Sequence, residues 1–148
     1  MYLVDTSVLI NHLRGIETKN TAIFEHAELN AIPYGISSLT YQEILQGAKN
    51  QKEFDTLERY LSTQKIYHPS LETFKLAAKI YFDARKRGKT IRSSEGCIIM
   101  ATAELEGLVV LSDDGDFVYR CLKVGIKLVP MRCDILPISN EREDDILS

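Results

Sequence analysis

Nowhere in the 148-residue chain does an apolar run approach the roughly 20 residues that a helix needs to cross a bilayer. The first residues also lack a basic segment followed by an apolar signal core, so a cytoplasmic location is expected and no membrane association. Cysteine is sparse and odd in number: Cys97, Cys121 and Cys133 lie in or beside apolar segments, which reads as buried thiols rather than disulfides. His12, His26 and His68 have no ligand spacing and no cysteine pair nearby, so a zinc site is not expected. A Gly-rich phosphate loop is missing and Asp5 has no second acid beside it, which argues against a phosphoryl-transfer or receiver-type domain. Positive charge is not in excess either. The formal net charge is −3, so a polyanionic substrate would have to be held by a local cluster.

What the chain does have is alternation. Short apolar runs are separated by segments of helical periodicity, the pattern of βαβ units and an α/β fold with a mostly parallel sheet. Strands are expected over 2–4, 32–36, 65–67, 108–111 and 126–129. Helices are expected over 7–13, 21–29, 39–48, 53–61, 70–87 and 95–106. The clearest is 70–87, where Leu71, Phe74, Ala77, Ala78 and Tyr81 recur at helical spacing between a capping Ser70 and a terminating Gly88. The apolar faces of the helices over 21–29 and 53–61 suit either the core or a second subunit. Length fits one domain with one core, taken here as 1–137. Beyond it, 138–148 crowds Glu141, Glu143, Asp144 and Asp145 and reads as a flexible acidic tail.

The acids fall at telling places. Asp5 ends the first apolar run, Glu43 lies about one turn into the helix opened by Ser37, Ser38 and Thr40, and Asp114 and Asp116 follow the run at 108–111. Ligands of open α/β sheets collect just beyond the carboxyl ends of the strands. If those strands are adjacent and parallel, the four acids share a cleft, where paired carboxylates 4 Å apart repel by about 1 kcal/mol in water and about 4 at an effective dielectric near 20. A cation must offset that. Oxygen donors without cysteine or histidine suit Mg²⁺ or Mn²⁺, and the matching reaction is metal-assisted attack of water on a phosphodiester. Each acid also has a plainer reading: Asp5 as a helix N-cap, Glu43 as a solvated helix residue, and Asp113-Asp114-Gly115-Asp116 as a turn.

Four blocks together resemble the PIN-domain nucleases, and within them the VapC-type toxins. They are Leu3-Val4-Asp5-Thr6-Ser7-Val8-Leu9-Ile10, the stretch from Ser37 to Ala48 around Glu43, the stretch from Thr90 through Cys97-Ile98-Ile99 to Ala103, and Leu111-Ser112-Asp113-Asp114-Gly115-Asp116-Phe117. The resemblance runs from about Met1 to Pro130. It implies a PIN-like αβα sandwich, a homodimer, Mg²⁺- or Mn²⁺-dependent endoribonuclease activity on RNA, and a VapB-type antitoxin whose C-terminal segment covers the active-site groove. DNA would be met only through that antitoxin. By position it assigns Asp5, Glu43 and Asp114 as family acids, Asp116 as a further one, and Thr6 as the hydroxyl neighbour of the first.

One block departs from the pattern. The family's third acid usually stands directly before the Cys-Ile-Ile-type run, and Gly96 is there instead. Glu95 is adjacent, but one residue on a helix is a rotation of about 100°. The site therefore either lacks a ligand at Gly96 or borrows Glu95. Divergence leads to such a glycine, and so does selection against a toxic activity, because one base change converts an Asp codon to Gly. A catalytically inactive PIN domain that dimerises and binds an antitoxin as a regulatory module is the alternative function. Arg85, Lys86, Arg87, Lys89 and Arg92 form the local basic cluster, read either as RNA-phosphate contacts or as cations favoured at a helix end. Tyr34, Tyr41 and Tyr119 are candidates for base stacking or for packing.

Overall fold

The computed structural model describes residues 1–89, 91, 93–115 and 117. Arg92, Asp116, Tyr119, Cys121, Cys133, the strand expected at 126–129 and the tail at 138–148 lie outside them. Along the described chain run β1 (Tyr2–Val4), α1 (Thr6–Leu13), α2 (Lys19–Leu29), β2 (Tyr34–Ser37), α3 (Ser38–Gln46), α4 (Gln51–Leu61), β3 (Ile66–Tyr67), α5 (Leu71–Lys86), α6 (Ser94–Glu106) and β4 (Val109–Leu111). The strands form one sheet in the order β3-β2-β1-β4, and every neighbouring pair is parallel. The α/β fold with a mostly parallel sheet flanked by helices is therefore what the chain adopts.

The first strand is buried on both faces, and its alternation sorts the core. Val4 points to the side where Val8, Leu9, Ile23, Phe24, Ile44 and Leu61 gather from α1 to α4. Leu3 points to the other side, toward Ile99, Met100 and Ala103 of α6. Val110 and Leu111 divide the same way. Side chains two apart share a face and neighbours do not, so each short strand serves both helical layers.

Element ends follow local chemistry. Ser70 is the cap of α5 rather than its first residue, its Oγ accepting the Thr73 N–H at 3.3 Å. Gly107 ends α6 with φ +65, the left-handed conformation that a side chain would strain. The second strand starts two residues later than the apolar pattern suggested. The Ile32 N–H closes back on the Ala27 carbonyl at 2.9 Å, and Pro33 has no N–H to offer a ladder, though its carbonyl takes the Tyr2 N–H at 3.1 Å. Gly35 permits β3 to approach: a Cβ there would stand 2.9 Å from the Lys65 carbonyl oxygen.

The helices over 19–29 and 51–61 place their apolar faces on the core, with Phe24, Ile23 and Leu61 buried and Phe54, Leu57 and Tyr60 packed against it, while Leu29 at the end of α2 is exposed. By contrast, only part of the α5 repeat is interior. Ala77 is buried beside Ala84, Cys97 and Ala101, while Leu71, Phe74 and Tyr81 face outward. Truncation should expose the difference in urea unfolding: Phe24→Ala, at a site with no exposure, is expected to cost about 3–5 kcal/mol. Leu29→Ala, at a residue 86% exposed, should stay within about 0.5 kcal/mol.

Candidate active site

Chain order reverses at β1, because β2 lies on one side of it and the late strand β4 on the other. The crevice beyond the carboxyl ends of such strands is where open α/β sheets bind ligands. Here it is a cleft of about 460 Å³ whose lining includes Asp5, Thr6, Glu43, Glu95, Gly96 and Asp114. Asp116 falls outside the described residues.

Asp5 sits at the N-cap position of α1, yet its carboxylate makes no capping bond to that helix. It accepts instead from two hydroxyls, Ser7 Oγ and Ser112 Oγ, each 2.9 Å from Oδ2. Its own N–H extends the β1–β4 ladder to the Leu111 carbonyl at 2.9 Å. Asp5 is thus the N-cap by position, while its side chain serves the two serine hydroxyls in place of a capping bond. Burial pushes its carboxyl above the usual value of 3.8; the Ser112 and Ser7 hydroxyls and the Thr6 N–H work against that rise, and the charge of Asp114 adds to it.

Glu43 stands on α3, which begins immediately after β2 because the Ser37 hydroxyl accepts the Leu39 N–H at 3.2 Å. Half-buried, its carboxyl is also raised, first by burial and then by the charges of Glu95 and Asp5, while the Thr6 hydroxyl lowers it. Thr6 Oγ1 is also 3.0 Å from Thr40 Oγ1, to which it donates. One hydroxyl carries one proton, so its bonds to Thr40 and to Glu43 are alternatives. Asp114 serves the turn as well as the cleft: Oδ1 accepts the Phe117 N–H at 3.2 Å. The turn reading and the site reading of this residue hold together.

Gly96 lines the cleft in the first turn of α6, where its N–H reaches Ser93 Oγ at 3.4 Å. A Cβ added there would meet only the Phe117 ring, at 3.4 and 3.5 Å, which is ordinary contact. Glu95 is exposed, with Ser93 Oγ donating to its Oε2 at 3.4 Å. It is close enough for its charge to act on Glu43.

The donors offered to an ion are all oxygens, and burial and mutual repulsion raise two of the carboxyls, a combination that a hard cation would relieve. Among the described residues, no three Asp, Glu, His or Cys side chains already stand close enough together to coordinate one. The set fits Mg²⁺ or Mn²⁺ in chemistry and surrounds the cleft rather than converging on a point.

Other expected residues lie elsewhere. Arg85, Lys86, Arg87 and Lys89 are exposed at and just beyond the end of α5, and none is part of the cleft wall. Tyr34 donates to Glu28 Oε1 at 3.0 Å, and its hydroxyl is pushed up to about 12 by burial and that carboxylate. Tyr41 packs against the core. Sequence reasoning missed the hydroxyls of Ser7 and Ser112. The available signal was position, since each follows a strand end that carries an acid.

Residues 2–121 match the PIN domain family, and the chain belongs to that family. Ribonuclease VapC11 of Mycobacterium tuberculosis is 34% identical over 125 residues, which cover 79% of this chain and 89% of that protein. VapBC-1 from nontypeable Haemophilus influenzae superposes with a TM-score of 0.68 at 16% identity, over 86% of this chain and 95% of the other. A toxin-antitoxin complex from Klebsiella pneumoniae superposes at 0.57 with 24% identity, over 74% and 83%.

Asp5→Asn keeps an oxygen for both serine hydroxyls while removing a buried charge, so it should raise thermal stability at neutral pH by the order of 1 kcal/mol. Because folding raises the Asp5 carboxyl, the folded state holds the proton more tightly than the unfolded chain. The parent should therefore gain stability relative to the variant as pH falls from the raised value toward 3.8. Melting curves of both proteins across that range check the sign: the gap is widest at neutral pH and closes in acid.

Proposed function

We propose that this chain is a Mg²⁺- or Mn²⁺-dependent endoribonuclease of VapC type, acting in the cytoplasm as the toxin of a toxin–antitoxin pair. One observation carries the reading: Asp5, Glu43 and Asp114, from three separate segments, line a single cleft at the point where strand order reverses. In this reading those three side chains hold the ion, with Asp116 assisting at the edge. A bound ion would polarise a phosphoryl oxygen and lower the pKa of its water. Ser7 and Ser112 fix Asp5, and Thr6 divides its proton between Thr40 and Glu43. Glu43, whose carboxyl is raised by burial and by the charges of Glu95 and Asp5, would be relieved by the ion and would help hold it and its water.

Arg85, Lys86, Arg87, Lys89 and Arg92 would hold flanking RNA phosphates, where lost charge weakens binding and flattens its salt dependence. The protein partner is a VapB-type antitoxin, with DNA reached only through it; the Klebsiella relative was solved as a toxin-antitoxin complex. A second copy of the chain is the other partner. Leu71, Phe74, Ala78 and Tyr81 form an exposed stripe along α5, spaced for one helical face. Two such helices crossing antiparallel would bring Glu72 of one copy toward Arg85 and Lys86 of the other, a self-complementary contact.

Gly96 favours a second reading, in which the fold dimerises and captures an antitoxin without cutting RNA. Cleavage of bulk RNA with Mn²⁺ by the parent, Gly96→Asp and Asp5→Ala separates the two. We expect Gly96→Asp to exceed the parent by about 10²-fold, the scale set by small misplacements of a reacting group. Asp5→Ala should be inactive, and silence in every variant would support the binding module. Phe74→Glu should turn a dimer into a monomer in sedimentation without changing the fold.

A further inference from the structure

The segment after β4 is held by a second polar network centred on Asp113, which is not part of the acidic cleft's lining. The Asp113 carboxylate receives three hydrogen bonds: Asn11 Nδ2 at 2.9 Å and Thr18 Oγ1 at 2.8 Å on Oδ2, and Asn20 Nδ2 at 2.9 Å on Oδ1. Asn20 Nδ2 also donates to the Ser112 carbonyl at 2.9 Å. The Asp113 N–H donates to Ser7 Oγ at 2.9 Å, and the Asp114 N–H to Ser112 Oγ at 3.2 Å. Asp113 thus turns away from the cleft toward α1 and the start of α2, while its neighbour Asp114 lines the cleft.

These bonds tie two distant parts of the chain, α1 and the start of α2, to one short turn. Asn11 comes from α1, Thr18 is the N-cap of α2, and Asn20 lies in the first turn of that helix. Asn20 commits both protons of its amide, one to the backbone of residue 112 and one to the side chain of residue 113. No other side-chain type of that length offers two donors on one atom. A carboxylate lone pair that loses its donor has no replacement within the fold, so the network is sensitive to the loss of any one of them.

We propose that Asn20 and Asp113 are positioning residues that fix the 112–114 turn and so set where the Asp114 carboxylate stands relative to Asp5. Neither touches the reacting atoms. They act through Ser112, which bonds Asp5 directly, and through the backbone that carries Asp114. This inference rests on the metal-dependent nuclease reading for its consequence, though not for its geometry. Outer partners of this kind typically change metal affinity or activity by about 10–100-fold when removed.

The test compares the full-length parent with Asn20→Ala, Asn20→Asp, Asp113→Asn and the exchange pair Asn20→Asp/Asp113→Asn. Two quantities are read in each: amide hydrogen exchange at Asp113, Asp114 and Phe117, and Mn²⁺ affinity by calorimetry, the latter also in a Gly96→Asp background. Asn20→Ala should speed exchange at those three amides and weaken Mn²⁺ about 10–100-fold, with protection of the β1 amides unchanged. Asn20→Asp should be worse, because it sets carboxylate against carboxylate. The exchange pair should recover part of the loss by reversing one donor and one acceptor, but not the bond to the Ser112 carbonyl. Uniformly faster exchange in Asn20→Ala, with no recovery in the exchange pair, would mean a general structural role and overturn the proposal. Parent-like exchange and parent-like Mn²⁺ binding in Asn20→Ala would overturn it too. If no protein binds Mn²⁺, the nuclease reading fails, and the exchange data alone still decide whether Asn20 holds the turn.

Discussion

Parallel pairing of β1 with β4 is the constraint from which the cleft follows. The two strands are separated by more than a hundred residues of chain, yet the Asp5 N–H meets the Leu111 carbonyl and sets their carboxyl ends level. On the other flank β1 pairs with β2, so that α3 starts beside the same edge with Glu43 on it. Carboxylates that repel are held near one another by hydrogen bonds between backbones that carry no charge. Their mutual cost is drawn from the stability of the sheet and its two helical layers, in keeping with strain stored at sites of function.

The cleft has two kinds of support. Hydroxyl groups act on the acids themselves: Ser7 and Ser112 on Asp5, Thr6 on Glu43. Behind them, Asp113 and its amide and hydroxyl donors fasten the turn to α1 and α2. The first set tunes charge, and the second sets place. Both sets are present although position 96, where the family resemblance led an acid to be expected, is a glycine with room for a side chain in the cleft wall.

Much of this was legible in the chain because period and punctuation agree. Apolar runs marked β1, β3 and β4 to within a residue, and the Ser70 cap and Gly88 stop bracketed α5. Asp5 and Glu43 stood out because each follows a strand. The start of β2 was misplaced because Ile32 is apolar but is spent on closing α2, with Pro33 unable to join the ladder. What stayed hidden was pairing over distance. Nothing local links Asn20 to Asp113 or Ser7 to Ser112, and a polar residue two positions after a cap looks like any solvated one. Periodicity also does not say which of two apolar faces on α5 meets the core; small Ala77 and Ala84 pack against α6, and the larger Leu71 and Phe74 do not.

The alternation of Leu3 and Val4 between the two helical layers has one more consequence. It makes the first strand a ruler whose length is counted in single residues. Remove one residue from within the strand ahead of Asp5, and Leu3 and Val4 change layers, each still buried in an apolar layer. The carboxylate would be drawn back into the sheet by about 3.3 Å. The first strand is thus read twice, once as hydrophobic bulk and once as a distance with almost no tolerance.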